Sequence, residues 1–178
     1  MSDRKILDSG SRTEFETGAV RDVRVGKGRM DLCPLDIIGT YIKSKVLKLV
    51  DEYQHWGNVD ALWGAIEEFC EERGWDINTA IIEVSMHYEE GCNKYGDFNW
   101  QKGIPMHCYV DSACRHYIKW RRGDEDEPHD RAVVWNLMSG IWTHIHKPEM
   151  IDIEIMTKTT TTATRGTATI FVGQHTLS

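Results

Sequence analysis

The chain reads as an all-α helical bundle, preceded by an irregular arm and followed by a short Thr-rich extended segment. Three observations predict this class. From Pro34 to Pro148 apolar residues recur at spacings of three and four, in stretches closed by Gly or Pro. Before Leu35 no such period holds, and Gly mixes with alternating charge in SRTEFETGAVRDVRVGKGRM. After Met150 the pattern alternates (IDIEIM) and runs into TKTTTTATRGTATIFVG, where threonine favours strand over helix. The organisation that follows is an arm over 1–35 that contributes to the site, a helical domain over 36–150, and a tail or hairpin over 151–178 turning at Arg165-Gly166.

In the helical region Ile37, Ile38, Tyr41, Ile42, Val46, Leu49, Val50 and Tyr53 form one apolar face, and Trp56-Gly57-Asn58 ends it. Asp60 is a candidate N-cap for a second helix, ALWGAIEEFCEERG, which Gly74 closes. A third starts near Asn78, itself a good cap, and runs through Ile81, Val84 and Tyr88 towards Lys94. The loop KYGDFNWQKGIP separates it from a fourth, YVDSACRHYIKWRR, which ends at GDEDEP. Pro128 suits the first turn of a fifth, HDRAVVWNLMSGIWTHIH, because a first-turn residue needs no N–H donor, and Pro148 stops it. No internal repeat is present.

At 178 residues the chain suits one domain with a real core, and 40% hydrophobic with 28% charged residues is ordinary for a soluble globular protein. A net charge of −7 makes nucleic acid and anionic membranes poor partners. The start MSDRKILDSG has no apolar stretch of signal-peptide length and no long apolar run follows, which predicts a cytoplasmic protein. Five scattered cysteines, never paired as C-x-x-C, suggest neither a zinc site nor a disulfide framework. Seven tryptophans are expected in the core or in pocket walls.

Acidic and histidine groups concentrate between Glu83 and Asn136. Glu83, His87, Glu90 and Lys94 fall at i, i+4, i+7 and i+11, on one helix face. Glu127 and Asp130 stand one turn apart in EPHD. Two such faces brought together make an oxygen-rich site for Mg²⁺ or Mn²⁺, and such an ion suits a nucleotide phosphate. Glu90, Glu127 and Asp130 are the expected catalytic ligands, with Glu83 or His87 completing the set. Lys94, Lys102 and Arg115 would neutralise phosphate, while Tyr95, Asn99 and Trp100 would line a base or sugar pocket. Asn136 stands on an otherwise apolar helix and needs a polar partner, which a pocket would supply. Lys27 and Arg29, between Gly26 and Gly28, could approach a phosphate, although the P-loop spacing is absent.

Plainer readings stand beside these. An i,i+3 carboxylate pair is common on helix surfaces, and Asp130 near a helix start also favours the dipole. His116, beside Tyr117, is more often a packed residue than a ligand, and Glu67, Glu68, Glu71 and Glu72 fit a solvated face.

The blocks EEGCNKYGDFNWQKGIP, SACRHYIKW and EDEPHDRAVVWN, with TGAVRDVRVGKGRMDLCP upstream, resemble the phage dATP/dGTP diphosphohydrolases, relatives of the all-α MazG-type nucleotide pyrophosphatases. The likeness spans about residues 10 to 145. It implies a MazG-like bundle that cleaves dATP or dGTP between the α and β phosphates with Mg²⁺ or Mn²⁺. It also implies a homodimer or homotetramer, and a phage role in removing dATP and supplying dGMP for 2-aminoadenine DNA. Glu127 and Asp130 match the second half of the MazG pattern, E-x-x-D. The first half, E-x-x-E, is replaced by His87-x-x-Glu90, or by Glu83. Through the upstream block Arg21, Asp22, Lys27 and Arg29 become candidate substrate contacts, and through the central blocks Arg115 and His116 do.

Two rivals remain. An HD-type phosphohydrolase would use the literal pair His129-Asp130, with His87, His107, His116 and Asp152, to hold a transition metal and release triphosphate. A nucleotide-binding module would use the same groups without turnover.

Overall fold

A computed structural model describes residues 5–155, and the Thr-rich hairpin expected beyond Ile155 lies outside them. The elements in order are β1 (Arg12–Glu14), β2 (Val20–Asp22), a 3₁₀ turn (Met30–Leu32), α1 (Leu35–Tyr41), α2 (Lys45–Trp56), α3 (Val59–Arg73), α4 (Ile77–Tyr95), a second 3₁₀ turn (Asn99–Lys102), α5 (Met106–Arg122), α6 (His129–His146) and a third 3₁₀ turn (Pro148–Met150). The all-α class is the observed one. Residues 151–155 form no strand.

The sequence period hides one break. The helix expected from Pro34 to Tyr53 is two, because Lys43 takes a positive φ of 56° and Ser44 caps α2 by accepting the Leu47 N–H at 3.1 Å. Gly39 permits the turn: a Cβ there would lie 3.0 Å from the Ser44 carbonyl oxygen. Apolar spacing continues across both helices, so periodicity alone joined them. Two other starts move back by two residues each. Asn58 rather than Asp60 caps α3, and Asp76 rather than Asn78 caps α4, accepting from Asn78 N–H at 2.8 Å and Thr79 N–H at 3.0 Å. Pro105 immediately precedes α5, three residues before the expected start.

α6 is the central helix. It packs on α3, α4 and α5, and its buried residues, Val133, Val134, Leu137 and Ile141 among them, run round its circumference. On the far side of α3, fully buried Phe69 meets Trp75, Tyr117 and Trp120 edge-on, at centroid separations of 6.3, 6.1 and 5.0 Å. The Tyr117 hydroxyl accepts from Ser44 Oγ at 2.8 Å and donates to Glu72 at 2.9 Å, so the cluster's polar tip is used.

The arm is bound to the bundle at several points. β1 and β2 pair antiparallel with Thr13 opposite Arg21. Asn99 accepts from Val20 N–H at 2.9 Å and donates to Val20 O at 2.7 Å, which fixes β2 against the loop after α4. Fully buried Asp111 accepts the Met30 N–H at 2.8 Å, and Gln54 Nε2 donates to Asp31 O at 3.0 Å. These bonds tie the arm to α2, to α5 and to the 3₁₀ turn after α4.

Candidate active site

Between arm and helices lies a cavity of about 1330 Å³. Helix geometry explains its α5 wall: Ser112, Arg115, His116 and Lys119 recur at i, i+3, i+4 and i+7, one continuous stripe. α4 contributes His87, Tyr88 and Tyr95, α6 contributes Trp135 and Asn136, and the arm contributes Arg21, Arg24, Lys27 and Arg29. Most of the lining charge is basic, with Asp8, Asp22 and Glu127 as counterparts. An anion therefore meets an attractive field, in contrast to the chain's overall sign.

Arg21 sits at the floor. Its Nη2 donates to Ser112 Oγ at 3.1 Å and to Asn136 Oδ1 at 3.0 Å, and Asn136 Nδ2 donates back to the Ala132 carbonyl at 2.7 Å. Arg115 reaches the same Ser112 Oγ at 3.0 Å while pairing with Asp111 at 2.7 Å. The Arg21 guanidinium lies over Tyr109 and Trp135, 5.4 and 5.7 Å from the ring centroids. Arg21 Nη1, His87 Nδ1 and Trp135 Nε1 are buried with no hydrogen-bond partner. All three residues line the cavity, and His87 and Arg21 both lie against Trp135. Unsatisfied buried polar atoms are rare and call for a partner. Burial, helped by Arg131 and Arg21, drives the His87 pKa down to about 3, so its ring is neutral.

Next to this floor, His116 Nδ1 and His129 Nδ1 approach to 2.9 Å, and Glu127 Oε1 is 3.8 Å from each. Burial, with Arg115 and His129 nearby, holds His116 well below the usual imidazole range, leaving its nitrogens free of an extra proton. His129 Nε2 meets Asp126 Oδ1 at 2.7 Å, which orients the ring from behind. These three donor atoms lie within 4.8 Å of one another, as do Asp124, Asp126 and His129. Among the described residues these are the groups that could hold a metal ion. Two imidazoles and a carboxylate match Mn²⁺ better than Mg²⁺, which prefers oxygen ligands throughout.

The expected ligands divide differently. Glu127 is in the cluster. Glu83 instead pairs with Arg131 at 2.6 Å, and Glu90 lies 3.9 Å from the same guanidinium. Asp130 accepts from Arg73 Nε at 3.0 Å and from the Arg131 N–H at 3.0 Å. His87 packs on Trp135. The arm also reaches the carboxylates: Ile6 N–H donates to Glu90 at 2.8 Å and Leu7 N–H to Glu127 at 3.4 Å.

Of the expected substrate contacts, Arg21, Asp22, Lys27, Arg29, Tyr95, Asn99, Trp100, Arg115, His116 and Asn136 line the cavity. Asp22 and Lys94 form an ion pair at 2.7 Å. Both polar groups of Asn99 are used by Val20. Lys102 is exposed and off the cavity wall. Sequence reasoning passed over Arg24, Lys119, Ser112 and Trp135, and read His129 only as half of an H-D pair. The α5 spacing would have yielded Ser112 and Lys119. For Trp135, inside an apolar run, no sequence signal separates a pocket wall from core.

Residues 77–153 match the family model described as dATP/dGTP diphosphohydrolase, N-terminal. That span covers α4, α5 and α6 and hence three walls of the cavity, with the His116–Glu127–His129 cluster inside it. Similarity to that diphosphohydrolase family therefore falls on the part of the chain where the chemistry gathers. No curated protein and no solved structure matches the chain. Among the described residues no helix is long and apolar enough to cross a membrane.

Proposed function

We propose that the protein is a metal-dependent diphosphohydrolase that converts dATP and dGTP to the monophosphate and pyrophosphate. The observation that carries this reading is the coincidence of the diphosphohydrolase family match with the cavity and its histidine–carboxylate cluster. His116, Glu127 and His129 would hold the ion, which when bound would polarise a phosphate oxygen and make water a better nucleophile. Neutral His116 offers a lone pair without first losing a proton. Arg21, Arg115 and Lys119 supply positive charge for the phosphates, and Trp135, Tyr88 and Trp100 supply a stacking wall for a base. Arg21, set between two aromatic faces, Ser112 and Asn136, is held in one orientation before substrate arrives. Assembly as a homodimer or homotetramer, and phage use of the reaction for 2-aminoadenine DNA, belong to the same reading.

One observation favours a second reading. The close His116–His129 pair is an imidazole-rich donor set, as an HD-type phosphohydrolase releasing triphosphate would use. Against it, Asp130 accepts from Arg73 Nε and from the Arg131 backbone N–H. Incubation with each deoxynucleoside triphosphate and Mg²⁺ or Mn²⁺, with products resolved by anion exchange, separates the two. Monophosphate with equal pyrophosphate is expected; deoxynucleoside with triphosphate would replace the first reading by the second.

A further inference from the structure

Two turns nearer the start of α5, a second cluster lines the cavity that the proposed hydrolysis does not use. Cys108 stands in the first turn of this 17-residue helix, at the positive end of its dipole. His107 Nε2 lies 3.3 Å from Cys108 Sγ. On its other side His107 Nδ1 is hydrogen-bonded to Asp152 Oδ2, while Asp152 Oδ1 accepts the His107 backbone N–H at 3.0 Å. Arg24 Nη1, from the arm, is 3.9 Å from the same sulfur. The groups that act on Cys108 electrostatically are thus His107 on its own helix, Arg24 and Arg29 on the arm, and the Tyr109 phenol; Asp152 lies across the imidazole. Positive charge dominates around the sulfur.

We propose that Cys108 is a reactive thiol in the cavity wall, set for oxidation by small peroxides. A thiolate next to cations and a helix N-terminus is the nucleophilic form of cysteine. The Asp152 bond, followed by the Cys108 contact, raises the His107 pKa to about 9, so the imidazole keeps a proton at neutral pH. With Asp152 bonded at Nδ1, the imidazolium presents its Nε2–H to Sγ at 3.3 Å and balances the charge of the thiolate, whose own proton goes to solvent. The thiolate attacks one peroxide oxygen: an S–O bond forms, the O–O bond breaks, and sulfur loses two electrons to the peroxide. The departing hydroxide takes the Nε2 proton and leaves as water, giving the sulfenic acid. At 7% exposure the Cys108 side chain is screened from bulk reagents, and the cavity is the route to it. Cys33 and Cys92 are more open and serve as internal controls.

The thiol chemistry stands apart from the proposed hydrolysis. The test treats the full chain with hydrogen peroxide and dimedone at neutral pH and follows each cysteine by peptide mass. Cys108 is expected to be trapped about tenfold faster than Cys33 or Cys92, and Asp152→Asn or His107→Gln to slow it about tenfold. Trapping of Cys108 no faster than the other two, or unchanged in both folded variants, overturns the proposal.

Discussion

The molecule has two aromatic clusters, and they are finished differently. Around Phe69 the rings pack edge-on and the Tyr117 hydroxyl is bonded to Ser44 and Glu72. Around Trp135 the rings of His87, Tyr88 and Tyr109 are as close, yet three polar atoms have no partner. Leaving a buried polar group unsatisfied costs about 1–3 kcal/mol. The first cluster is complete as it stands, while the second holds hydrogen-bonding capacity in reserve, as a binding site does before its ligand arrives.

The widest separation between the clusters should come from the metal-binding end of the Trp135 region. Glu127→Gln is expected to lower dATP turnover by about a hundredfold or more with little change in melting temperature. Unimpaired turnover would remove Glu127 from the chemistry. Phe69→Ala should do the reverse, costing about 3–5 kcal/mol in urea unfolding. Trp135→Phe, which keeps most of the packing, should cost less than about 1.5 kcal/mol while weakening nucleotide binding. A large stability loss there would make Trp135 an ordinary core residue.

The smallest effect is one of pH. Burial holds His87 near a pKa of about 3, whereas an unfolded histidine titrates near 6.5. Between these values the unfolded chain binds a proton that the folded chain refuses. Stability is thus full above about pH 6.5 and falls as pH drops towards 3, with buried His116 acting in the same direction. His107, raised to about 9 by Asp152, has the opposite sign: its contribution is complete below about pH 6.5 and is lost as pH rises through 9. Melting temperatures across this range should show His87→Phe flattening the acid side and Asp152→Asn the alkaline side.

Much of this was legible in the sequence, and for definite reasons. The all-α class followed from apolar spacing, and Pro128 and Pro148 marked helix ends. The split at Lys43–Ser44 was hidden because the apolar period continues across it. Glu127 and Arg115, singled out from residue type and spacing, both line the cavity. The distribution of the other carboxylates was not legible, since which cation each meets, Arg131 for Glu83 and Arg73 for Asp130, depends on how helices distant in sequence are brought together. The unpartnered atoms around Trp135 likewise exist only after three helices and the arm enclose it.

The assignment of this cavity is tested by calorimetric titration with the α,β-methylene analogue of dATP in the presence of Mn²⁺. Saturable binding at one site per chain is expected, weakened at least about tenfold in Arg21→Ala and in Arg115→Ala. No binding, or equal affinity in both folded variants and the wild type, would contradict the assignment of this cavity to a purine deoxynucleoside triphosphate.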